Sequence, residues 1–145
     1  MTVAAGLDLT AGGVESAADL SCGNGSVLAA MPAKRKFYGD FAKGWEFTGP
    51  IEKTIDEIPL VDLFICTETI EHLDDPDTVL KAIGAKSRML LLSTPINAWD
   101  DGNLEHYWSW DREVVEEMLT GSGFAVTAYR ELRPSYHWGI WSCVA

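Results

Sequence analysis

The segment DLFICTETIEHLDDP, from Asp62 to Pro76, begins as an unbroken apolar run and ends as a charged helix start. An apolar run without polar alternation is typical of a strand that is buried on both faces of a parallel sheet. Glu68, Glu71 and His72 lie where the two patterns meet. Because ligands bind beyond the carboxyl ends of such strands, the segment predicts a strand that delivers two carboxylates and an imidazole to a candidate site.

Apolar runs alternate with helical patterns on both sides of this segment. The alternation predicts one Rossmann-like α/β domain over residues 1–145, with a seven-stranded, mostly parallel sheet and helices on both faces. We expect Asp75 or Asp77 near the cap of the helix that follows. The predicted strands are 15–20, 34–40, a weaker 45–55, 61–68, 88–95, 124–132 and 137–145, and the predicted helices are 26–31, 75–86 and 110–124.

The composition sets limits on location and partners. The 145 residues carry 11 basic and 22 acidic side chains, a net charge of −11 that disfavours a broad nucleic-acid-binding face. No apolar run is long enough to cross a bilayer, and the amino terminus lacks the pattern of a signal peptide. Cys22, Cys66 and Cys143 are far apart in the sequence, so we expect free thiols in a reducing cytoplasm.

A glycine-rich turn, DLSCGNGSVL, lies between the first predicted strand and the first helix. Gly23 and Gly25 allow the backbone to pass close to a ligand because they carry no Cβ atom. Asp40 ends the next strand, about 20 residues after the turn, where an acidic side chain accepts hydrogen bonds from a ribose. The combination predicts a site for a nucleoside cofactor.

AADLSCGNGSVL resembles the first motif of class I S-adenosylmethionine-dependent methyltransferases, with Ser21 where that family often has glycine. VDLFICTETIEHLDDP resembles the family's fourth strand and turn, RMLLLSTP its fifth strand, and GSGFAV the approach to its sixth strand. The resemblance implies that S-adenosylmethionine is the cofactor. It implies cofactor-binding roles for seven residues: Asp19, Cys22, Gly23 and Gly25 at the first turn, Asp40 at the ribose, Ile51 near the adenine, and Thr67.

The turn after residue 67 also has the composition of a metal site. If the segment winds as a helix start, Glu68, Glu71 and His72 share a face, because residues three and four apart are neighbours on a helix. His106, in GNLEHYWSW, follows the next strand, and neighbouring strands end at the same edge of the sheet. Two carboxylates and two imidazoles could hold Mg²⁺ or Mn²⁺. A metal-free role, with His72 or His106 as general base, is the alternative.

The E-x-x-E-H spacing resembles that of small-RNA 3′-terminal 2′-O-methyltransferases and of ubiquinone-pathway O-methyltransferases. This resemblance implies that Glu68, Glu71, His72 and His106 are metal ligands, that His72 and His106 are catalytic, and that the acceptor is a diol or a catechol. Metal-independent transfer to a metabolite, sugar or protein, and a non-catalytic cofactor-binding subunit, are alternatives. The acceptor itself stays open among a small molecule, a glycan and an RNA 3′ end.

Two further expectations concern the surroundings of this site. About 18 residues precede Asp19 and show little helical periodicity, so we expect the chain to be short of the family's usual N-terminal helices. The cofactor would then be exposed, closed by substrate, or covered by a partner such as a second copy of the chain. Among the aromatic residues near the carboxyl terminus, Tyr136 included, we expect Trp110 and Trp141 to pack and Tyr107 and Trp108 to form a substrate wall.

Overall fold

A twisted sheet of seven strands runs through the computed structural model, which describes residues 1–132 and 137–145. The strands are β1 Ser16–Asp19, β2 Arg35–Asp40, β3 Phe47–Thr48, β4 Val61–Thr67, β5 Ser87–Ile96, β6 Ala125–Leu132 and β7 His137–Val144. The helices are α1 Thr2–Leu9, α2 Ser26–Ala30, α3 Ile51–Thr54, α4 Pro76–Lys86 and α5 Arg112–Gly121, with a 3₁₀ turn at Ile70–His72.

The strand order is β3-β2-β1-β4-β5-β7-β6. All pairs are parallel except those of β7, which runs antiparallel to β5 and β6. The predicted Rossmann-like α/β class is therefore confirmed. From β1 the strand order runs outward to β2 and β3 on one side, and from β4 it runs outward to β5 on the other. The carboxyl ends of β1 and β4 therefore form the crevice where ligands bind in sheets of this kind.

Two apolar layers cover the sheet, one on each face. Leu63, Ile65 and Leu91 belong to the layer shared with α1 and α2. Phe64 and Leu92 alternate with them and belong to the larger layer shared with α3, α4 and α5. The strands β4 and β5 are thus buried on both faces, which explains why their sequences are apolar without alternation.

Two elements differ from the sequence-based expectation. A helix, α1, precedes β1 although its sequence shows little periodicity; it packs on β5 and β7. Gly6 allows this close approach, because a Cβ atom there would lie 3.0 Å from Leu91 Cδ2 of β5 and 2.7 Å from Met31 Sδ at the end of α2. The weak third strand is only two residues long, and Ile51–Thr54 form α3 instead. Pro50 interrupts the extended run, and burial of Ile51 holds the helical turn against the sheet.

Other local predictions are confirmed. Asp75 caps α4 by accepting a hydrogen bond from the Thr78 amide at 3.0 Å. Cys22, Cys66 and Cys143 are free and buried, and burial raises the pKa of each thiol. None of the described helices combines the length and apolar character that a membrane span requires.

Replacement of Gly84 tests the packing of α4 on the end of α5. A Cβ atom at Gly84 would lie 2.2 Å from the backbone oxygen of Ser122, which cannot rotate away. We expect Gly84→Ala to lower the free energy of unfolding by about 1–2 kcal/mol, even though alanine favours helix. Urea unfolding followed by circular dichroism measures the change.

Gly121→Ala is the matched control, because no atom lies within 4 Å of a Cβ placed there and the residue is also helical. We expect it to leave stability unchanged or to raise it by up to about 1 kcal/mol. Equal stabilities for the two variants would contradict the close contact between α4 and Ser122.

Candidate functional site

An open cleft of about 610 Å³ lies at the carboxyl edge of the sheet. We call it the edge cleft, and its walls include Ser21, Asp40, Ile51, Glu68, His72 and Tyr107. Predicted cofactor residues and predicted metal residues therefore share one cleft. Asp19 and Cys22 are buried, and Thr67 lines a second cavity of about 310 Å³ that also reaches Glu68.

The glycine-rich turn adopts a conformation that other residues rarely adopt. Gly23 and Gly25 have φ values of 54° and 75°, in the left-handed region. A Cβ atom at Gly25 would also lie 3.0 Å from the Trp45 ring, which stacks on Tyr38. At the start of α2, Gly23 is exposed, whereas Gly25 is buried under these two rings.

Asp40 connects this turn to the end of β2. One carboxylate oxygen accepts a hydrogen bond from the Gly23 amide at 2.8 Å, and the other accepts from the Ala42 amide at 2.8 Å. Each carboxylate oxygen has a second lone pair, so Asp40 retains acceptor capacity towards the edge cleft.

Ser21 and Thr69 join the turns after β1 and β4. Their hydroxyl oxygens are 2.6 Å apart, and Thr69 donates its hydrogen to the Thr67 carbonyl at 3.0 Å. Since that hydrogen is used, Ser21 must be the donor to Thr69, which leaves the Ser21 lone pairs as acceptors at the cleft wall. Thr69 was not predicted as a residue of the cleft wall, because a threonine in a turn carries no specific sequence signal.

Asp19 lies under the edge cleft and is 1% exposed. One of its oxygens accepts a hydrogen bond from the Ser21 amide at 3.1 Å. Burial raises the pKa of Asp19 to about 7, and the negative charge of Asp40 adds to the rise. A large fraction of Asp19 is therefore protonated at neutral pH when no cation is nearby.

Glu71, His72 and His106 form a cluster behind the wall of the edge cleft, and His72 is the member that lines the cleft. Each offers one ligand atom, and these three atoms lie within 4.8 Å of one another. The two imidazole rings are 4.7 Å apart between centroids and meet edge to face at 70°. The predicted meeting of His106 with the turn after β4 therefore occurs.

Hydrogen bonds fix the orientation of both imidazole rings. His72 Nδ1 lies 2.8 Å from the Glu105 carbonyl oxygen, and His106 Nδ1 lies 2.5 Å from an Asp101 carboxylate oxygen. A carbonyl can only accept, so His72 carries a hydrogen on Nδ1, and the carboxylate favours the same tautomer of His106. In neutral rings, this leaves both Nε2 atoms as free lone-pair donors, which is the usual arrangement of metal-binding histidines.

Glu71 is the buried acid of this cluster, with 1% of its surface exposed. Its Oε2 accepts a hydrogen bond from the Thr94 hydroxyl at 2.9 Å, whereas its Oε1 has no hydrogen-bond partner among the described residues. Burial raises the pKa of Glu71 to about 7, and the nearby charge of Glu68 adds to the rise. An unpaired buried carboxylate oxygen is suited to binding a cation.

Glu68 lies apart from the other three predicted metal ligands. Its φ of 51° turns the chain sharply after β4, so the segment is not the regular helix start on which a shared face depends. The Glu68 carboxylate instead accepts hydrogen bonds from the Ser93 hydroxyl at 2.6 Å and from the Trp138 indole. It forms the wall between the edge cleft and the second cavity.

The aromatic residues divide as follows. Trp110 and Trp141 are buried, as expected for packing residues, and Trp108 stacks on Trp110. Tyr107 lines the edge cleft with 60% of its surface exposed, which fits a substrate wall. Trp108 is half-exposed but does not line the cleft, and Tyr136 lies outside the described residues.

The sequence matches no protein-family model and no curated protein. Solved structures do share its fold. The 1,6-didemethyltoxoflavin-N1-methyltransferase of Burkholderia thailandensis, solved with its acceptor and S-adenosylhomocysteine, gives a TM-score of 0.80 at 17% identity over 99% of this chain and 77% of the other. The magnesium protoporphyrin IX methyltransferase of Synechocystis, solved with S-adenosylhomocysteine, gives 0.71 at 14% identity over 99% and 81%.

The small RNA methyltransferase HEN1 has a similar domain. Its structure gives a TM-score of 0.72 at 18% identity and covers 99% of this chain but only 24% of HEN1. At identities this low the likeness shows the fold, and one fold supports many acceptors. The three proteins are accordingly named for different molecules: 1,6-didemethyltoxoflavin, magnesium protoporphyrin IX and small RNA.

The buried carboxyl of Asp19 predicts a pH dependence of stability. Its pKa rises on folding from 3.8 to about 7, so the folded state binds a proton that the unfolded state has lost. The contribution of Asp19 to the free energy of unfolding is therefore greatest below about pH 4 and falls as the pH rises towards about 7, by roughly 4 kcal/mol at most. Asp19→Asn removes this titration but keeps an oxygen for the Ser21 amide.

Urea unfolding at a series of pH values, in the presence of chelator, measures this effect. We expect the loss of stability between about pH 4 and pH 7 to be clearly smaller in Asp19→Asn than in the parent chain. Asp77→Asn, an exposed acid in the first turn of α4, is the control and should follow the parent chain. Identical pH profiles for all three proteins would show that Asp19 does not carry a raised pKa.

Proposed function

We propose that this protein is an S-adenosylmethionine-dependent methyltransferase that methylates a hydroxyl group on an acceptor with two neighbouring oxygens, with the assistance of a divalent metal ion. The observation that carries the proposal is the convergence of Glu71, His72 and His106, because His72 also lines the cleft that Asp40 lines. The cleft is thereby equipped to hold a nucleoside cofactor at one end and to activate an acceptor at the other.

Support for the cofactor comes from the Rossmann-like fold and from the geometry of the first two strand ends. Two proteins of this fold were solved with S-adenosylhomocysteine, the product that remains after methyl transfer. In this chain, the left-handed turn at Gly23 and Gly25, with Gly23 exposed, suits the methionine part of that ligand, and the acceptor capacity of Asp40 suits the ribose. Ile51 offers an apolar surface for the adenine at the cleft wall.

Support for a metal ion comes from the donor set. One carboxylate with an unpaired oxygen and two oriented imidazoles form a mixed oxygen and nitrogen donor set, which suits Mn²⁺ or another first-row divalent ion better than Mg²⁺, an ion that prefers oxygen ligands. Glu71, His72 and His106 would hold the ion, and Asp101 and Thr94 would orient two of these ligands. When bound, such an ion lowers the pKa of a hydroxyl group that it coordinates.

The protein's own residues position the two reactants. A lone pair of the acceptor oxygen attacks the methyl carbon, the carbon–sulfur bond breaks, and sulfur retains the bonding electrons. The acceptor must approach in line with this bond, so cleft walls that fix both partners contribute to the rate. His72 and His106 lie at the cleft end where the hydroxyl proton has to leave.

A metal-free mechanism is the second candidate, and one contact favours it. The 2.5 Å contact between His106 and Asp101 resembles the base-and-orienter pairs of general base catalysis. In that case His106 Nε2, or His72 Nε2, would accept the hydroxyl proton directly. A non-catalytic cofactor-binding subunit is the third candidate, and it predicts cofactor binding without turnover.

Asp40→Ala tests the cofactor assignment. Loss of the carboxylate leaves ribose hydroxyls unpaired and frees the Gly23 amide, so we expect the Kd for S-adenosylhomocysteine to rise by roughly 5- to 150-fold, or about 1–3 kcal/mol. Calorimetry measures the Kd. Glu46→Ala, an exposed acid of the following segment, should bind like the parent chain. Failure of the parent chain to bind would refute the cofactor itself.

His106→Ala tests the metal assignment. We expect it to abolish binding of Mn²⁺, measured by electron paramagnetic resonance, and to abolish transfer of labelled methyl groups. Cofactor affinity should change little, because its contacts come from β1 and β2. His137→Ala is the control, since His137 lies outside the cluster and pairs with Glu131.

A chelator separates the two catalytic candidates. The metal mechanism predicts that chelation stops methyl transfer and that added Mg²⁺ or Mn²⁺ restores it. The general-base mechanism predicts that chelator has no effect and that activity is lost in acid, where an imidazole already carries the proton that it would have to accept.

A further inference from the structure

We infer that the methyl acceptor is a neutral or cationic small molecule with a flat, apolar body, and not a nucleic acid or another polyanion. The inference rests on the proposed function, because it concerns the acceptor end of the same edge cleft. It starts from the charges on the cleft wall, which neither the fold nor the E-x-x-E-H spacing determines.

The wall of the edge cleft is acidic. Four carboxylates line it, and none of its described lining residues is a lysine or an arginine; the four are Asp40, Glu52, Glu68 and Glu105. None of these four forms an ion pair with a described residue. Glu68, for example, is held by a hydroxyl and an indole, which carry no charge. Among residues 1–132 and 137–145, no ion pair therefore compensates the negative charges of the wall.

Bound cofactor and metal do not reverse this balance. Glu71 adds a fifth carboxylate beside the wall. A divalent ion brings two positive charges and S-adenosylmethionine brings a net charge of one, so two negative charges remain if all five acids are ionised. An acceptor with phosphate groups would meet repulsion from this wall, whereas a cationic acceptor would be attracted.

The basic residues lie where they cannot help a polyanion to enter. Lys34, Lys86 and Arg88 are at the amino-terminal edge of the sheet, opposite the cleft, where Lys34 pairs with Glu15 and Arg88 with Asp62. Four further described basic residues lie nearer the carboxyl edge, and none of them lines the cleft. Lys43 and Lys53 belong to the half of the sheet with β2 and β3, whereas Arg112 pairs with Glu116 and Arg130 with Asp8.

The apolar part of the wall suits a flat molecule. Tyr107 and Phe41 both line the cleft and leave most of their rings exposed. The backbone of Tyr107 is fixed, because its amide donates to the Glu71 carbonyl at 2.8 Å. An exposed ring next to His106 can stack on an aromatic acceptor and attract a cationic one.

A set of catechol probes that differ only in charge tests the inference. Dopamine is cationic near neutral pH, catechol is neutral, and 3,4-dihydroxybenzoate is anionic, while all carry the same pair of hydroxyls. We expect binding to the protein with S-adenosylhomocysteine and Mg²⁺, followed by tryptophan fluorescence, to weaken by about tenfold or more from dopamine to the benzoate. A single-stranded RNA with a 3′-terminal diol should not bind or accept labelled methyl groups.

A charge reversal at the wall supplies the second measurement. Glu105→Lys should shift the preference towards the anionic probe by about tenfold, because it replaces a negative charge of the wall by a positive one. The contact of residue 105 with His72 is made by the backbone, so the new side chain leaves it in place. Glu117→Lys changes the net charge equally on the exposed face of α5 and should leave the preference unchanged. If both variants changed the preference by the same factor, only the overall charge of the protein would matter, which would overturn the inference.

Failure of the inference is distinguishable from failure of the proposed function. Methylation or tight binding of the RNA, preference for the anionic probe, or absence of binding by all three probes would overturn the inference. Each of these results is compatible with a methyltransferase if the chain still binds S-adenosylhomocysteine in calorimetry. Absence of that binding would overturn the proposed function instead.

Discussion

The hydrogen bond from the Tyr107 amide to the Glu71 carbonyl, 2.8 Å long, is the contact on which the arrangement of the site depends. It joins the loop after β5 to the turn after β4, two segments that neighbouring parallel strands only bring to the same edge. The Trp108 indole reinforces the connection by donating to the Leu73 carbonyl at 2.7 Å. With residue 107 held in this way, His106 lies against the turn, so a loop residue completes a cluster whose other two members belong to the 3₁₀ turn Ile70–His72.

The chain leaves both strands in an uncommon backbone conformation. Glu68 follows β4 with a φ of 51°, and Asn97 follows β5 with a φ of 54°. Asparagine adopts this region readily, whereas for glutamate it costs about 1–3 kcal/mol. The bonds that Ser93 and Trp138 donate to the Glu68 carboxylate offset that cost. They also direct Glu68 away from Glu71, so the same turn that creates the cleft separates two acids that are close in sequence.

The sequence predicted the structure correctly where the type of residue alone indicates its environment. Apolar runs identified the buried strands, and the position of Asp40 at a strand end placed it correctly in the cleft. The helix at Gly6 was missed because close packing, and not periodicity, holds it on the sheet. Spacing could not reveal that Glu68 turns away, since that depends on a backbone dihedral angle. Nor could it identify Asp101, whose role follows from a contact that exists only in the folded chain.

The cleft presents acceptors and few donors, which carries a cost in the free protein. Ser21 offers lone pairs because its hydrogen is given to Thr69, and Asp40 offers a carboxylate. Burial raises the pKa of Asp19 and of Glu71 to about 7, so the free protein holds both acids partly protonated at neutral pH. A ligand that brings positive charge or hydrogen-bond donors ionises and satisfies these groups together. The arrangement of acceptors thus selects for donor-rich, cationic ligands before any individual contact is considered.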